Sequence, residues 1–139
     1  MPDSTQSGGY SVGVDIGGTN TRIGLFGSLD APDFMLVAKF PTFQTYEEQL
    51  HHIVVAIRGS NIHHLASVGV SVAARIAKDG HSVIVAPNLP DYVDKPFGKD
   101  NFDSLKTPVR LAHDTVCGLL AEKKFGILQQ IDRCAYLTV

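Results

Sequence analysis

Cysteine is scarce in this sequence: Cys117 and Cys134 are the only two in 139 residues, and they form no C-x-x-C pair. That excludes a disulfide framework and a cysteine-rich zinc site, and both read as reduced cytosolic thiols. Charge of either sign is also in short supply. Twelve basic against 14 acidic side chains leave a formal net charge of -2, without the basic excess that draws proteins to nucleic acid or anionic membranes. Neither partner is expected. Long apolar runs are missing as well: the longest aliphatic stretch is Ile53 to Ile57, whereas a membrane span needs about 20 apolar residues. The opening MPDSTQSGG lacks the basic and apolar regions of a secretory signal. It reads as a flexible tail, residues 1–9, of a soluble, cytoplasmic protein.

What is present is ordinary globular chemistry. Apolar residues make up 44% and charged residues 19%, and the length suits a single domain at roughly 150 residues each. Tyr10, Val12, Val14 and Ile16 alternate with polar or small residues, the period-2 signature of a strand. Gly17-Gly18 breaks the pattern, which resumes with Thr21, Ile23 and Leu25, so a tight antiparallel connection is expected there. A third strand from Phe34 to Phe40 completes a meander. Thr45 opens a helix as N-cap, with Glu48 placed for a capping box and an apolar stripe of Leu50, Ile53, Val54 and Ile57; Gly59 closes it.

Ser67 to Val72 fits a buried parallel strand, and Asp79-Gly80 signals a hairpin between Arg75–Lys78 and His81–Val85. Asn88 to Phe97, with two prolines, reads as surface loop. A short helix over 98–105, a strand from Val109 to Ala112, a helix from Thr115 to about Phe125 and a last strand from Ala135 follow. The order predicts an α/β fold with a mixed sheet, antiparallel in its first three strands and parallel afterwards, with flanking helices.

Val12-Gly-Val-Asp-Ile-Gly-Gly-Thr-Asn-Thr-Arg22 concentrates the chemistry. It sets a carboxylate, Asp15, at a strand end beside two residues without side chains and a hydroxyl. Backbone N–H groups at Gly17 and Gly18 can approach phosphate oxygens, Thr19 can add a hydrogen bond, and Asp15 can hold Mg²⁺. Two standard phosphate motifs do not match: Thr19-Asn20 stands where a P-loop has Lys-[Ser/Thr], and G-x-G-x-x-G is absent. The bland alternative is a hairpin whose glycines serve only its turn.

The string resembles the first phosphate motif of the sugar kinase, heat-shock-70 and actin superfamily, specifically that of the ROK family of bacterial sugar kinases and repressors. In the same order, Val68-Gly-Val-Ser-Val72 resembles the family's next core strand, Ala86-Pro-Asn-Leu-Pro90 its sugar-contacting A-P-N-L segment, and Asp114 through Glu122 to Gly126 its N-D-x(7)-E-x(3)-G stretch. The resemblance runs from Val12 to Val139. It implies a ribonuclease-H-like (actin-like ATPase) lobe over 10–139, the N-terminal lobe of a glucokinase-like, ATP-dependent sugar kinase. Carried over by position, it implies that Asp15, Gly17, Gly18 and Thr19 serve the ATP phosphates and Mg²⁺, with Asp15 as metal ligand. Asn88 would bond a sugar hydroxyl, and Asp114, also touching the sugar, would be the catalytic base.

Phosphoryl transfer needs such a carboxylate together with donors and metal for the phosphoryl oxygens. Asp114 follows an apolar strand and opens a helix; its alternative role is that helix's N-cap. Glucose or a related hexose is the implied partner. His113 stands where the family usually has Asn, and Ala73-Ala74 where it has a glycine. The family's cysteine-rich zinc segment, second phosphate motif and adenosine motif all lie past the point matching Val139. A lone lobe is therefore expected to be inactive and to self-associate through its exposed surface or last strand. The rival reading is a non-catalytic domain, degenerate or the sugar-sensing lobe of a ROK-type regulator. The pairs His51-His52 and His63-His64 lack the i, i+4 spacing of a helical metal site, and Cys117 reads as a buried thiol.

Overall fold

The computed structural model describes residues 9–31, 33–97, 102 and 105–137. Strands β1 (Tyr10–Ile16), β2 (Asn20–Phe26) and β3 (Met35–Pro41) form the expected meander, and β4 (Leu65–Val72) and β7 (Val109–His113) extend it in parallel. The five-stranded order is β3-β2-β1-β4-β7, while β5 (Arg75–Ile76) and β6 (Val83–Val85) make a separate two-stranded ribbon. Helix α1 (Tyr46–Gly59) joins β3 to β4, and α2 (Asp114–Phe125) follows β7 directly.

Strand alternation divides the sheet. Val12, Val14 and Ile16 lie in register with Val68, Val70 and Val72 and, on the other side, with Leu25, Ile23 and Thr21. That face is buried against Leu50, Ile53 and Ile57 of α1 and against Leu89, Tyr92 and Phe97. Fully burying one such aliphatic or aromatic side chain contributes about 1.5–3 kcal/mol, so these rows are the main source of stability. The opposite face carries Ser11, Gly13 and Asp15 beside Ser67, Gly69 and Ser71.

Several local expectations change. Thr45 is the N-cap of α1, but its hydroxyl donates to the Glu48 carboxylate at 2.5 Å and does not cap the backbone. Instead Asp91, distant in sequence, accepts the Tyr46 N–H at 2.9 Å, an anion at the positive end of the helix. Gly59 is the last helical residue, and the left-handed step that ends the chain reversal falls on Asn61, with φ 56°. The hairpin is wider than a two-residue turn: pairing ends at Ala77 and Ser82, Gly80 N–H bonds the Ala77 carbonyl, and Gly80 takes φ 73°.

The segment expected as surface loop, Asn88 to Phe97, is irregular and partly exposed, yet Leu89, Tyr92 and Phe97 within it belong to the core. A 3-10 turn over Pro90–Tyr92 buries Leu89, Tyr92 and Phe97, because its apolar side chains close the end of α1. No strand forms at 135–137, so the expected last strand is absent from the described residues; Tyr136 packs on Gly118 of α2 instead. The expected helix over 98–105 falls mostly outside the described residues, as does the tail apart from Gly9. Among the described residues no helix is long and apolar enough to cross a membrane.

Candidate active site

The carboxyl ends of β1, β4 and β7 lie side by side, which is where open α/β sheets place their ligands. Asp15 is exposed at the end of β1, paired in register with Arg22 on one side and Ser71 on the other. The Ser71 hydroxyl donates to Asp15 Oδ1 at 3.2 Å. Gly17 to Asn20 then turn the chain, with Gly17 N–H bonded to the Asn20 carbonyl at 3.0 Å. Gly17 is half-buried, and Gly18 and Thr19 are exposed, so no packed side chains cover the turn.

Gly80 is the only described glycine with positive φ, so Gly17 and Gly18 are not required by a left-handed backbone. Clearance is tight at Gly17 and ordinary at Gly18. A Cβ on Gly18 would stand 3.8 Å from the Asn88 side chain, and one on Gly17 would stand 3.0 Å from the Asn20 carbonyl. Asn88 itself is exposed and held from both sides in sequence. Leu89 N–H bonds the Ala86 carbonyl at 3.1 Å, Leu89 is buried, and the Tyr92 hydroxyl donates to the Phe43 carbonyl at 2.6 Å.

Asp114 is the first residue of α2, immediately after β7. The N-cap is His113, one residue earlier than the alternative role considered for Asp114; its Nδ1 accepts the Thr115 N–H at 3.2 Å. Asp114 Oδ1 also accepts that N–H, at 2.7 Å, and lies 2.7 Å from His113 Nδ1. Its other carboxylate oxygen takes no hydrogen bond from the described residues. Asp114 is thus steered by the Thr115 N–H at the helix end while one oxygen is left for a ligand.

Cys117, one turn into α2, lies within the field of both carboxylates. Burial foremost, and then the negative charge of Asp15 and of Asp114, push its thiol up, while the nearby Ser71 hydroxyl pulls the other way. A thiol kept protonated is a poor nucleophile, in keeping with its reading as an unreactive group, though it is only half-buried. Asn88 thus stands near Gly18, and the charges of both Asp15 and Asp114 are felt at Cys117. Asp15 and Gly18, three residues apart in the chain, join the two sets.

A cleft of about 650 Å³ opens beside Asp15, Ser71 and Cys117 and runs over Gly13, Gly24 and Gly69. It does not reach Gly17–Thr19, Asn88 or Asp114, so it adjoins the site rather than holding it. Ser71 was missed in the sequence although a signal existed: Val68-Gly-Val-Ser-Val72 repeats the pattern of Val12-Gly-Val-Asp-Ile16, and the two strands pair residue for residue. Nothing local marked Cys117, whose place follows from the turn of α2 over β4.

Sheet order, strand directions and the acidic strand end define an actin-like ATPase lobe. The chain belongs to the ROK family, whose profile matches residues 11–139. It is 29% identical over 119 residues to a glucokinase of Streptomyces coelicolor, covering 85% of this chain and 37% of that relative. In structure it is similar to a ROK family glucokinase from Streptomyces griseus in complex with glucose and AMPPNP, at TM-score 0.77 and 28% identity over 88% of this chain and 38% of that one. A ROK hexokinase from Thermus thermophilus shares the fold at TM-score 0.68 and 22% identity, over 87% of this chain and 40% of that one. The chain thus spans well under half the length of these relatives.

Proposed function

We propose that this chain is the N-terminal lobe of an ATP-dependent hexose kinase, with glucose or a close relative as acceptor. The observation that carries the reading is the nearness of the Asn88 side chain to Gly18, three residues from Asp15, which sets a phosphate-sized turn against a sugar-sized amide. The relative from Streptomyces griseus, bound to glucose and AMPPNP, supports the choice of ligands. On this reading Gly17, Gly18 and Thr19 offer N–H and hydroxyl donors to the phosphates, and Asn88 orients a sugar hydroxyl. Asp114 accepts the proton of the attacking hydroxyl through its unpaired oxygen.

Mg²⁺ is commonly held by one or two carboxylates plus substrate phosphates, and the exposed Asp15, braced by Ser71 through one oxygen only, fits that donor set. When bound, the ion neutralises charge on the phosphoryl oxygens. The chain's own residues position the acceptor, hold the phosphates and take the proton.

The test uses this chain fused to the complementary C-terminal region of the Streptomyces coelicolor glucokinase, assayed by coupled phosphorylation of glucose. Asp114→Ala in that fusion is expected to lower turnover by about 10² to 10⁴-fold, the usual contribution of a positioned base. A loss below about tenfold would leave Asp114 a structural residue at the helix start. The 139-residue polypeptide alone is expected to bind MgATP weakly and to turn over no glucose, since closure that excludes water needs a second lobe.

A further inference from the structure

Behind the glycine turn lies a row of buried polar groups that the reaction chemistry does not use. Gln49 is fully buried in the otherwise apolar face of α1, Thr21 is fully buried on β2, and Thr42 is 9% exposed just past β3. Gln49 Nε2 donates to Thr21 Oγ1 at 2.8 Å, the two threonine hydroxyls are 3.0 Å apart, and Thr42 Oγ1 donates to the Gly17 carbonyl at 2.7 Å. The Phe43 N–H donates to Gln49 Oε1 at 2.9 Å.

Both ends of this row force its direction. A backbone N–H can only donate, so Gln49 must turn its oxygen to Phe43 and its NH₂ to Thr21. A carbonyl can only accept, so the single Thr42 proton goes to Gly17, and Thr42 must accept from Thr21. Every proton in the row therefore points toward the glycine turn. Thr42 acts twice, because its backbone N–H also bonds the Thr19 carbonyl at 2.9 Å. In a trans peptide the N–H opposes the C=O, so drawing the Gly17 carbonyl toward Thr42 aims the Gly18 N–H away from the core. That N–H makes no hydrogen bond with the described residues.

We infer that Gln49, Thr21 and Thr42 form a one-way hydrogen-bond relay that presets the Gly17–Gly18 peptide for phosphate, making them positioning residues of the nucleotide site. The inference deepens the proposed function and rests on it for the identity of the ligand. A buried glutamine facing apolar neighbours is costly unless fully paired, and here pairing spends both ends of its amide on the turn and its flank. Preorganising donors before the ligand arrives removes the cost of ordering them at binding.

The experiment records amide spectra of the ¹⁵N-labelled 139-residue chain, free and titrated with MgATP. Variants are Thr42→Val, Gln49→Met at the far end of the relay, and Thr42→Ser as rescue. Thr107→Val serves as control, since it removes an equally buried hydroxyl that bonds the Leu65 carbonyl at 2.7 Å away from the turn. Thr42→Val and Gln49→Met are expected to shift the free-state amides of Gly17, Gly18 and Thr19, speed their hydrogen exchange, and weaken MgATP about five- to tenfold, the value of one lost hydrogen bond. Thr42→Ser should restore all three, and Thr107→Val should lower the melting temperature without moving any.

Turn amides that superimpose on wild type in both relay variants would overturn the relay. Wild-type binding matched by equal binding in Thr42→Val and Gln49→Met would overturn its role toward phosphate while leaving the proposed function standing. A wild-type chain whose amides ignore MgATP even in large excess, where weak binding still moves them, would overturn the proposed function itself, and with it the role assigned to the relay.

Discussion

The two faces of the five-stranded sheet share one register and follow opposite rules. On one face, Val12, Val14, Ile16, Val68, Val70 and Val72 fill the β1 and β4 rows, where burial is their whole contribution, and Thr21 is the polar side chain beside them on β2. On the other, the same pairs of strands bring together Ser11 and Ser67, Gly13 and Gly69, and Asp15 and Ser71. A single period-2 alternation therefore builds the core and, one residue out of phase, displays the chemistry. The comparison teaches that fold and site are separable along these strands: substitutions in the apolar rows of β1 and β4 should act through stability, and those at the strand ends of the second face through ligands.

The largest expected effect is the loss of turnover from Asp114→Ala in the two-lobed fusion, with the melting temperature of the lobe nearly unchanged. Close behind, Ile53→Ala under the apolar face is expected to cost about 2–5 kcal/mol in urea unfolding, since the fully buried side chain leaves a cavity. Raised pH probes the same face. Burial first, and then the Glu47 carboxylate, push the Tyr46 phenol up from 10.0 to about 12. Burial and Asp91 move Tyr92 in the same direction. A pKa raised in the folded state contributes stability that is intact below the unfolded value near 10 and lost as pH climbs through 12. Urea midpoints measured from pH 9 to pH 12 should fall across that window, and less steeply in Tyr46→Phe.

Gly18→Ala sharpens the contrast further. Its Cβ meets Asn88 only at ordinary contact distance, so folding should be nearly unaffected while glucose and MgATP compete with the added methyl for the same space. Calorimetric titration of the wild-type and Gly18→Ala chains checks this; equal affinities would remove the turn from the site. The smallest effect is expected from Gly69→Ala on the same face. Nothing lies within 4 Å of its added Cβ, so stability should stay within about 0.5 kcal/mol of wild type.

The meander, both parallel strands and both helices were legible in the sequence because alternation and helical stripes report burial directly. Asp15, Gly17, Gly18 and Asn88 were legible as a motif, but their reason was not. Asn88 stands near Gly18 across some 70 residues of chain, a proximity that no local pattern encodes. Gln49 was passed over inside an apolar stripe, since only the fold shows it facing Thr21. The segment after Asn88 was read as surface from its prolines, yet Leu89, Tyr92 and Phe97 close the core; turn-forming residues report backbone direction, not burial. The strand expected from Ala135 rested on β-propensity alone. That propensity depends on neighbours to pair with, and Tyr136 finds α2 instead.

The central claim is that phosphate and sugar meet at the ends of β1, β4 and β7, on opposite sides of the Gly18–Asn88 contact. The most direct measurement is the amide spectrum of this chain with glucose added alone and then with MgATP. The account predicts that glucose moves the Asn88 side-chain NH₂ and the Asp114 amide, that MgATP moves Asp15 and Gly17 to Thr19, and that Gly18 responds to both. Glucose shifts confined to the cleft over Gly13, Gly24 and Gly69, with Asn88 and Asp114 silent, would contradict it.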